Sequence, residues 1–172
     1  MIVGHSGTGK TVLALSLAKH YDIDALHLDA VQYQTGWKNR RNEETTKIMD
    51  SFMNSHEDWI IDGNYRKREF FERAKQADTI YFLNYNRFTC LWRAIKRRIT
   101  YRNEKRVSLA DGCHDCLNPS FLYWILIKGR TKKFLKTYDD LKTNYPDKLI
   151  VFNKPKELED YLNELGVEVV KE

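Results

Sequence analysis

The first eleven residues, Met1-Ile2-Val3-Gly4-His5-Ser6-Gly7-Thr8-Gly9-Lys10-Thr11, decide how the rest of the chain is interpreted. Residues 4–11 match the pattern G-x-x-x-x-G-K-[ST] at every fixed position. A short apolar run precedes the pattern, and residues 12–19 follow it with a helical composition. A strand, a glycine-rich loop and a helix are therefore predicted in that order, which favours a phosphate-binding loop over a chance glycine-rich turn.

The predicted loop has the groups that bind a nucleoside triphosphate. Its glycines let backbone N–H groups point inward at phosphate oxygens, and the following helix adds the positive end of its dipole. Lys10 is expected to reach the β- and γ-phosphates, and the Thr11 hydroxyl to help hold Mg²⁺. The predicted cofactors are ATP and Mg²⁺, and the predicted cofactor-binding residues are Gly4, His5, Ser6, Gly7, Thr8, Gly9, Lys10, Thr11 and Val12.

Composition limits the class of protein. The chain has 172 residues, enough for one domain with a sizeable core, and 42% of them are apolar. Its longest apolar run, residues 121–127, is too short to span a membrane, so no membrane partner is expected. Three cysteines and a loop that starts at the first residues, leaving no room for a leader, predict a reducing cytoplasm. The net charge of +5 suits either nucleotides or nucleic acid.

Apolar strand patterns alternate with helical patterns along the whole chain. This alternation predicts one domain over residues 1–172, an α/β fold with a five-stranded parallel sheet and helices on both faces. The predicted strands are residues 1–3, 25–28, 59–61, 79–83 and 148–152. The predicted helices are about residues 10–21, 42–54, 66–77, 88–102, 120–145 and 155–165.

Polar residues follow two of these strands, where ligands bind in parallel sheets. Asp29 is a candidate to orient a substrate hydroxyl or act as a base, and the alternative is a helix cap or turn residue. Asp62 is a Walker-B-like carboxylate, expected near the metal rather than as its main ligand. Arg66 is either a guanidinium for a substrate anion or a surface arginine at the start of a helix.

A basic helix follows the fourth predicted strand. Arg93 and Arg97 share one face at i,i+4 spacing, and the repulsion between them favours an anionic ligand. They are predicted catalytic arginines of a lid; the alternative is a solvated basic face. Arginines beside aromatic side chains also suit nucleic acid, but Trp92, Ile95 and Ile99 have a spacing that predicts a core-facing stripe.

Cys113 and Cys116 form a Cys-x-x-Cys pair with His114 and Asp115 between them. A structural zinc site needs four ligands, and no second such pair exists in the sequence. Zinc binding is therefore a minor alternative here.

Four segments together, the loop, His27-Leu28-Asp29, the run from Trp59 to Tyr65 and the arginine-rich helix, resemble one family. It is the DNA topology modulation or FlaR-related family of small P-loop proteins, related to adenylate, shikimate and gluconate kinases. The resemblance implies a P-loop NTPase sheet of order 2-3-1-4-5, an acceptor-binding region at about residues 31–54 and a helical lid at about residues 88–130. It also implies substrate contacts at Gly63 and Asn64, although Asn64-Tyr65 stands where nucleoside monophosphate kinases have Phe-Pro.

Three functions are consistent with these residues. The leading hypothesis is a kinase that transfers the γ-phosphoryl of Mg-ATP to a small molecule, a nucleotide or a hydroxylated metabolite, with Lys10, Asp29, Arg93 and Arg97 as catalytic residues. The second is an ATP-dependent regulator associated with DNA topology, with little or no kinase activity. The third is a nucleotide-binding protein without acceptor chemistry.

Overall fold

A computed structural model describes residues 1–65, 69–100 and 117–170 of the chain. Its centre is a five-stranded, all-parallel sheet, which confirms the predicted α/β class. The sheet strands are β1 (Ile2–Gly4), β2 (Ala25–His27), β5 (Ile60–Asp62), β6 (Ile80–Leu83) and β7 (Leu149–Phe152). The helices are α1 (Lys10–Tyr21), α2 (Leu28–Gln32), α3 (Asn42–Ser55), α4 (Glu69–Gln76), α5 (Arg87–Thr100), α6 (Pro119–Leu126), α7 (Lys132–Asn144) and α8 (Pro155–Glu164).

From edge to edge, the strands lie in the order β2-β5-β1-β6-β7. These numbers differ from the expected 2-3-1-4-5 because the chain forms an additional hairpin, β3 (Tyr33–Gln34) and β4 (Lys38–Asn39). When the strands of the main sheet alone are counted along the chain, β5, β6 and β7 are the third, fourth and fifth. The first strand therefore lies at the centre, with its carboxyl end between those of β5 and β6.

Period-2 alternation in the strands explains why helices cover both faces of the sheet. Ile2 and Leu83 pack in one cluster with residues of α1, α5, α6 and α8. Val3 and Phe82, their neighbours in the chain, pack on the opposite face with residues of α4 and α7. A third cluster joins Ile61 to α2 and α3. Each sheet face is thus buried by helices that the sequence places between the strands.

The segment after β2 differs from its prediction. The predicted second strand included residue 28, but β2 ends at His27 and the chain turns at once into α2. The hairpin of β3 and β4 follows, with Trp37 at a φ of +61° in its turn. In α3 the buried side chains are Thr45, Met49 and Met53, whereas Ile48 is exposed.

The predicted helix over residues 120–145 is wrong, because the structure divides it into α6, a 3₁₀ turn at Lys128–Arg130 and α7. Thr131 adopts extended backbone angles at the start of α7. Gly129 packs so closely that a Cβ atom there would lie 2.9 Å from the Trp124 carbonyl oxygen. In the parts of the chain that the structure describes, no helix has the length and apolarity to cross a membrane.

The predicted core-facing stripe of α5 is also wrong. Trp92 and Ile99 are 67% and 73% exposed. The buried residues of α5 are Cys90 and Ala94, on the other side of the helix. The spacing of the large apolar residues was helical, but small side chains make the contact with the core because α5 packs closely against the rest of the domain.

Candidate functional site at the phosphate loop

The candidate phosphate loop, residues 4–11, leaves the carboxyl end of β1 and leads directly into α1. The φ angle is +83° at Gly7 and +92° at Gly9, a region where residues with side chains are strained. A Cβ atom at Gly7 would overlap the carbonyl oxygen of Cys90, and one at Gly9 would lie 2.8 Å from Arg93 Nη2. Both glycines are needed for the turn itself and for close packing against α5.

Hydrogen bonds inside the loop converge on the carbonyl oxygen of His5. Thr8 Oγ1 donates to it over 2.8 Å, and Lys10 Nζ donates over 3.2 Å. Because Thr8 is fully buried, its hydroxyl braces the loop from within. The ammonium group of Lys10 therefore lies at the His5 end of the loop. A lysine of this motif reaches the β- and γ-phosphates of a nucleotide, and binding of a nucleotide here remains a prediction.

Asp62 connects the loop to the end of β5. Its Oδ2 atom accepts a hydrogen bond of 3.0 Å from Thr11 Oγ1 and lies 3.2 Å from Nδ1 of His27. His27 and Asp62 are only 7% and 5% exposed, and they are register partners in the neighbouring strands β2 and β5. The end of the loop and the edge strand β2 therefore meet at one carboxylate.

The same carboxylate fits Mg²⁺. Asp62 Oδ1 is buried and has no hydrogen-bond partner among the described residues, an arrangement that costs about 1–3 kcal/mol. Mg²⁺ prefers oxygen ligands and usually combines one or two side chains with substrate phosphates. Thr11 and Asp62 provide such side chains. In the described ranges, this site included, no cluster of three or more His, Cys, Asp or Glu could hold a metal ion.

Asn64 braces the start of the loop. Its Oδ1 atom accepts hydrogen bonds from the Gly4 N–H at 3.0 Å and from the Tyr138 hydroxyl at 3.1 Å. Its Nδ2 group donates to the Gly4 carbonyl over 2.6 Å. Gly63 donates its own N–H to the Ile2 carbonyl over 3.1 Å. These contacts are all within the protein, and the substrate contacts of Gly63 and Asn64 remain a prediction.

Arg73, on α4, supports this turn and was missed by the sequence analysis. Its guanidinium donates to the Gly63 carbonyl at 3.2 Å and to the Tyr65 carbonyl at 2.9 Å. Burial lowers the pKa of Arg73 to about 10, although Glu69 and Asp62 act in the opposite direction. The sequence contained one sign that Arg73 is buried: it falls on the same face of α4 as Phe70 and Ala74, which are buried.

Helix α5 packs directly on the loop. Cys90 approaches Gly7 with its backbone carbonyl, and the guanidinium of Arg93 lies beside Gly9. Burial raises the pKa of the Cys90 thiol, while the nearby cations Arg130, Lys10 and Arg93 act to lower it. The structure thus brings Arg93 to the loop, and Arg97 lies one turn further along the same face. Catalytic roles for both arginines remain predictions.

Arg130 is a second residue that the sequence analysis missed. Its Nη2 group donates to the Tyr85 carbonyl at 2.7 Å and to Cys90 Sγ at 3.3 Å. Burial lowers the pKa of Arg130. Its Nε group is buried and has no hydrogen-bond partner among the described residues.

A small pocket beside the loop is lined by His5, Ser6, Asn64, Trp124, Ile125, Gly129 and Arg130. The prediction of one long helix over this segment concealed the turn that carries Arg130.

The remaining predicted residues are located as follows. Asp29 is exposed in the first turn of α2, rather than in a loop that follows a strand. Arg66, Cys113 and Cys116 lie outside the described residues, and so does the zinc alternative. The predicted acceptor region, residues 31–54, contains the hairpin and α3.

Fold and site together define a class: a parallel α/β protein with a phosphate-loop sequence between its first strand and first helix. Comparison with known proteins adds no narrower assignment, because no protein-family model and no curated protein matches the chain.

Proposed function

We propose that this chain is a P-loop kinase of the small-molecule type: it binds Mg-ATP at residues 4–11 and transfers the γ-phosphoryl group. The observation that carries the proposal is the 3.0 Å hydrogen bond between Thr11 and Asp62. This bond joins the phosphate-binding motif to a buried carboxylate suited to the cation that accompanies a nucleotide. The resemblance to small P-loop kinases is in agreement with it.

The reaction follows from the cations around the loop. In phosphoryl transfer the acceptor hydroxyl forms a new P–O bond to the γ-phosphorus while the bond to the leaving ADP breaks. Lys10 and Arg93 stabilise the charge on the phosphoryl oxygens, and Thr11 and Asp62 would hold Mg²⁺, which would supply further positive charge to the phosphates. Asp29 orients the acceptor and takes its proton. The resemblance assigns the exclusion of water, a competing acceptor, to a lid over about residues 88–130, of which residues 101–116 lie outside the described part of the chain.

We place the acceptor near Asp29 and the predicted acceptor region, residues 31–54, and the γ-phosphoryl group at the His5 end of the loop. Lys10 reaches this end, and Ser6, Trp124 and Arg130 line the pocket there. The volume of this pocket is about 10 Å³, room for about one water molecule, so it is too small to hold the acceptor.

The test is ADP formation from Mg-ATP with a panel of acceptors: nucleoside monophosphates, nucleosides, shikimate, gluconate and similar hydroxy acids. Lys10→Ala is expected to lower acceptor-stimulated turnover by about 10²–10³-fold, the effect of removing one preorganised charge partner. Lys19→Ala is the matched control, because Lys19 lies on the same helix but is exposed and pairs with Glu168. Turnover of Lys10→Ala equal to the control would contradict the proposal.

A second candidate function is nucleic-acid binding by α5, as in an ATP-dependent regulator associated with DNA topology. Phe88, Trp92 and Ile99 are 72%, 67% and 73% exposed and lie along one stripe of the helix. Lys96 is exposed at the border of that stripe. Exposed aromatic rings beside cations suit base stacking and phosphate contact.

Titration of single-stranded and duplex DNA at two salt concentrations tests this candidate. Trp92→Ala is expected to weaken single-strand binding by the loss of about 1–3 kcal/mol of stacking. Tyr123→Ala removes an exposed aromatic ring of α6 and serves as the control. Absence of binding at low salt, where phosphate contacts are strongest, would exclude this function.

A further inference from the structure

The structure brings an imidazole to the buried carboxylate of the cation site. From the juxtaposition of His27 and Asp62, we infer that His27 is a positioning residue that fixes the Asp62 carboxylate for the divalent cation. The inference deepens the proposed function, since that cation arrives with the nucleotide. Nδ1 of His27 lies 3.2 Å from Oδ2, and Oδ1 is buried without a hydrogen-bond partner among the described residues.

The backbone dictates this contact. β2 and β5 are adjacent parallel strands, and their register places the last residue of each, His27 and Asp62, side by side. Both side chains lie at the carboxyl ends of their strands and are almost fully buried. Each side chain is therefore confined to a small space at the carboxyl end of its strand, beside its register partner.

The chemistry assigns the proton. An ionised carboxylate only accepts hydrogen bonds, so Nδ1 of His27 bears the hydrogen in the 3.2 Å contact. A neutral imidazole in this tautomer adds a donor without adding a charge that would repel the cation. Such hydrogen bonds from outside the ligand set orient a ligating carboxylate and influence metal affinity.

Other groups near Asp62 do not replace this function. Arg73 acts on Asp62 through its charge, but its guanidinium donates to the Gly63 and Tyr65 carbonyls. Thr11 also donates to Oδ2, yet Thr11 is itself a candidate ligand of the cation. His27, by contrast, is not a candidate ligand of the cation, so its contact with Asp62 only positions the carboxylate.

The main experiment measures Mn²⁺ binding to the protein with ADP by electron paramagnetic resonance. His27→Phe keeps a ring of similar size but has no donor, whereas His27→Asn keeps an N–H close to the position of Nδ1. We expect His27→Phe to weaken Mn²⁺ binding by about 10–100-fold, and His27→Asn to restore most of it. ADP affinity measured in EDTA is expected to be equal in all three proteins, which a general defect of folding would not produce.

Equal Mn²⁺ affinity of the wild-type protein and His27→Phe would overturn the inference. A wild-type protein that binds neither ADP nor Mn²⁺-ADP would instead overturn the proposed function, and a second measurement then decides the role of His27. This is the ¹⁵N spectrum of the imidazoles without ligand at about pH 8, above the usual histidine pKa, with His27 assigned by the Asn variant. The inference requires the Nδ1–H tautomer, and a spectrum with the proton on Nε2 overturns it even if His27→Phe does not fold.

Discussion

The two sides of the phosphate loop are built differently. On the β5 side, two sets of partly buried hydrogen bonds, one at Asp62 and one at Asn64, join the loop to residues at the ends of the strands. On the α5 side, the loop meets a backbone carbonyl and the guanidinium of Arg93. Arg130 lies behind them and donates to a carbonyl and a thiol.

Charge balance follows the same division. The buried cation of the β5 side, Arg73, is attracted by Glu69 and Asp62. On the α5 side, no carboxylate forms an ion pair with Arg93 or Arg130 among the residues described by the structure. The β5 side is therefore held by hydrogen bonds within the protein, with Asp62 Oδ1 left for a cation, whereas the proposed function assigns the cations of the α5 side to a bound anion. Variants on the two sides should then affect different quantities.

The largest effect is expected on the β5 side, from Arg73→Met. The change leaves the Gly63 and Tyr65 carbonyls without a donor and removes the cation near Asp62, so the free energy of unfolding should fall by about 3–5 kcal/mol. Urea unfolding measures this, with Arg87→Met, an exposed arginine of α5, as the control. A loss equal to that of the control would mean that the buried guanidinium does not hold the scaffold.

A smaller effect, on binding rather than on stability, is expected from Arg93→Met. Loss of one charged hydrogen bond to phosphate, about 1.5–3 kcal/mol, should weaken ATP binding by about 10–100-fold in calorimetry. The free energy of unfolding should change by less than about 0.5 kcal/mol. Lys96→Met removes the same charge from an exposed position of α5 and should leave the ATP affinity unchanged. Equal losses in both variants would indicate a general field effect instead of a contact.

The smallest effect is expected from Cys90→Ala. It removes a weak acceptor of Arg130 and a small buried volume, so stability should fall by about 1 kcal/mol. Nucleotide affinity should not change, because Cys90 contacts Gly7 through its backbone carbonyl and not through its sulfur. Gly7→Ala is the contrasting variant, since its methyl group would overlap that carbonyl and should abolish binding. A nucleotide defect in Cys90→Ala would show that the thiol itself shapes the loop.

Much of the fold could be predicted because its signals are local. Strand alternation, the glycine spacing of residues 4–11 and the helical composition of residues 12–19 each depend on neighbours in the sequence, and the structure confirms α1 at Lys10–Tyr21. The hairpin after α2 and the break at Lys128–Arg130 were missed. The break depends on the close packing of Gly129 against Trp124. The exposed apolar stripe of α5 was predicted to face the core, because periodicity identifies a face of a helix but does not show which face other elements cover.

The candidate site divides in the same way. By itself the sequence determined the loop, its lysine and threonine, and the aspartate at the end of the neighbouring strand, because motif spacing and strand ends are properties of the chain. Tertiary structure decided that His27 meets Asp62, that Arg73 supports the turn from behind and that Arg130 reaches Tyr85 and Cys90. These pairs are separated by 8 to 45 residues, and only strand register and helix packing bring their atoms within hydrogen-bond distance.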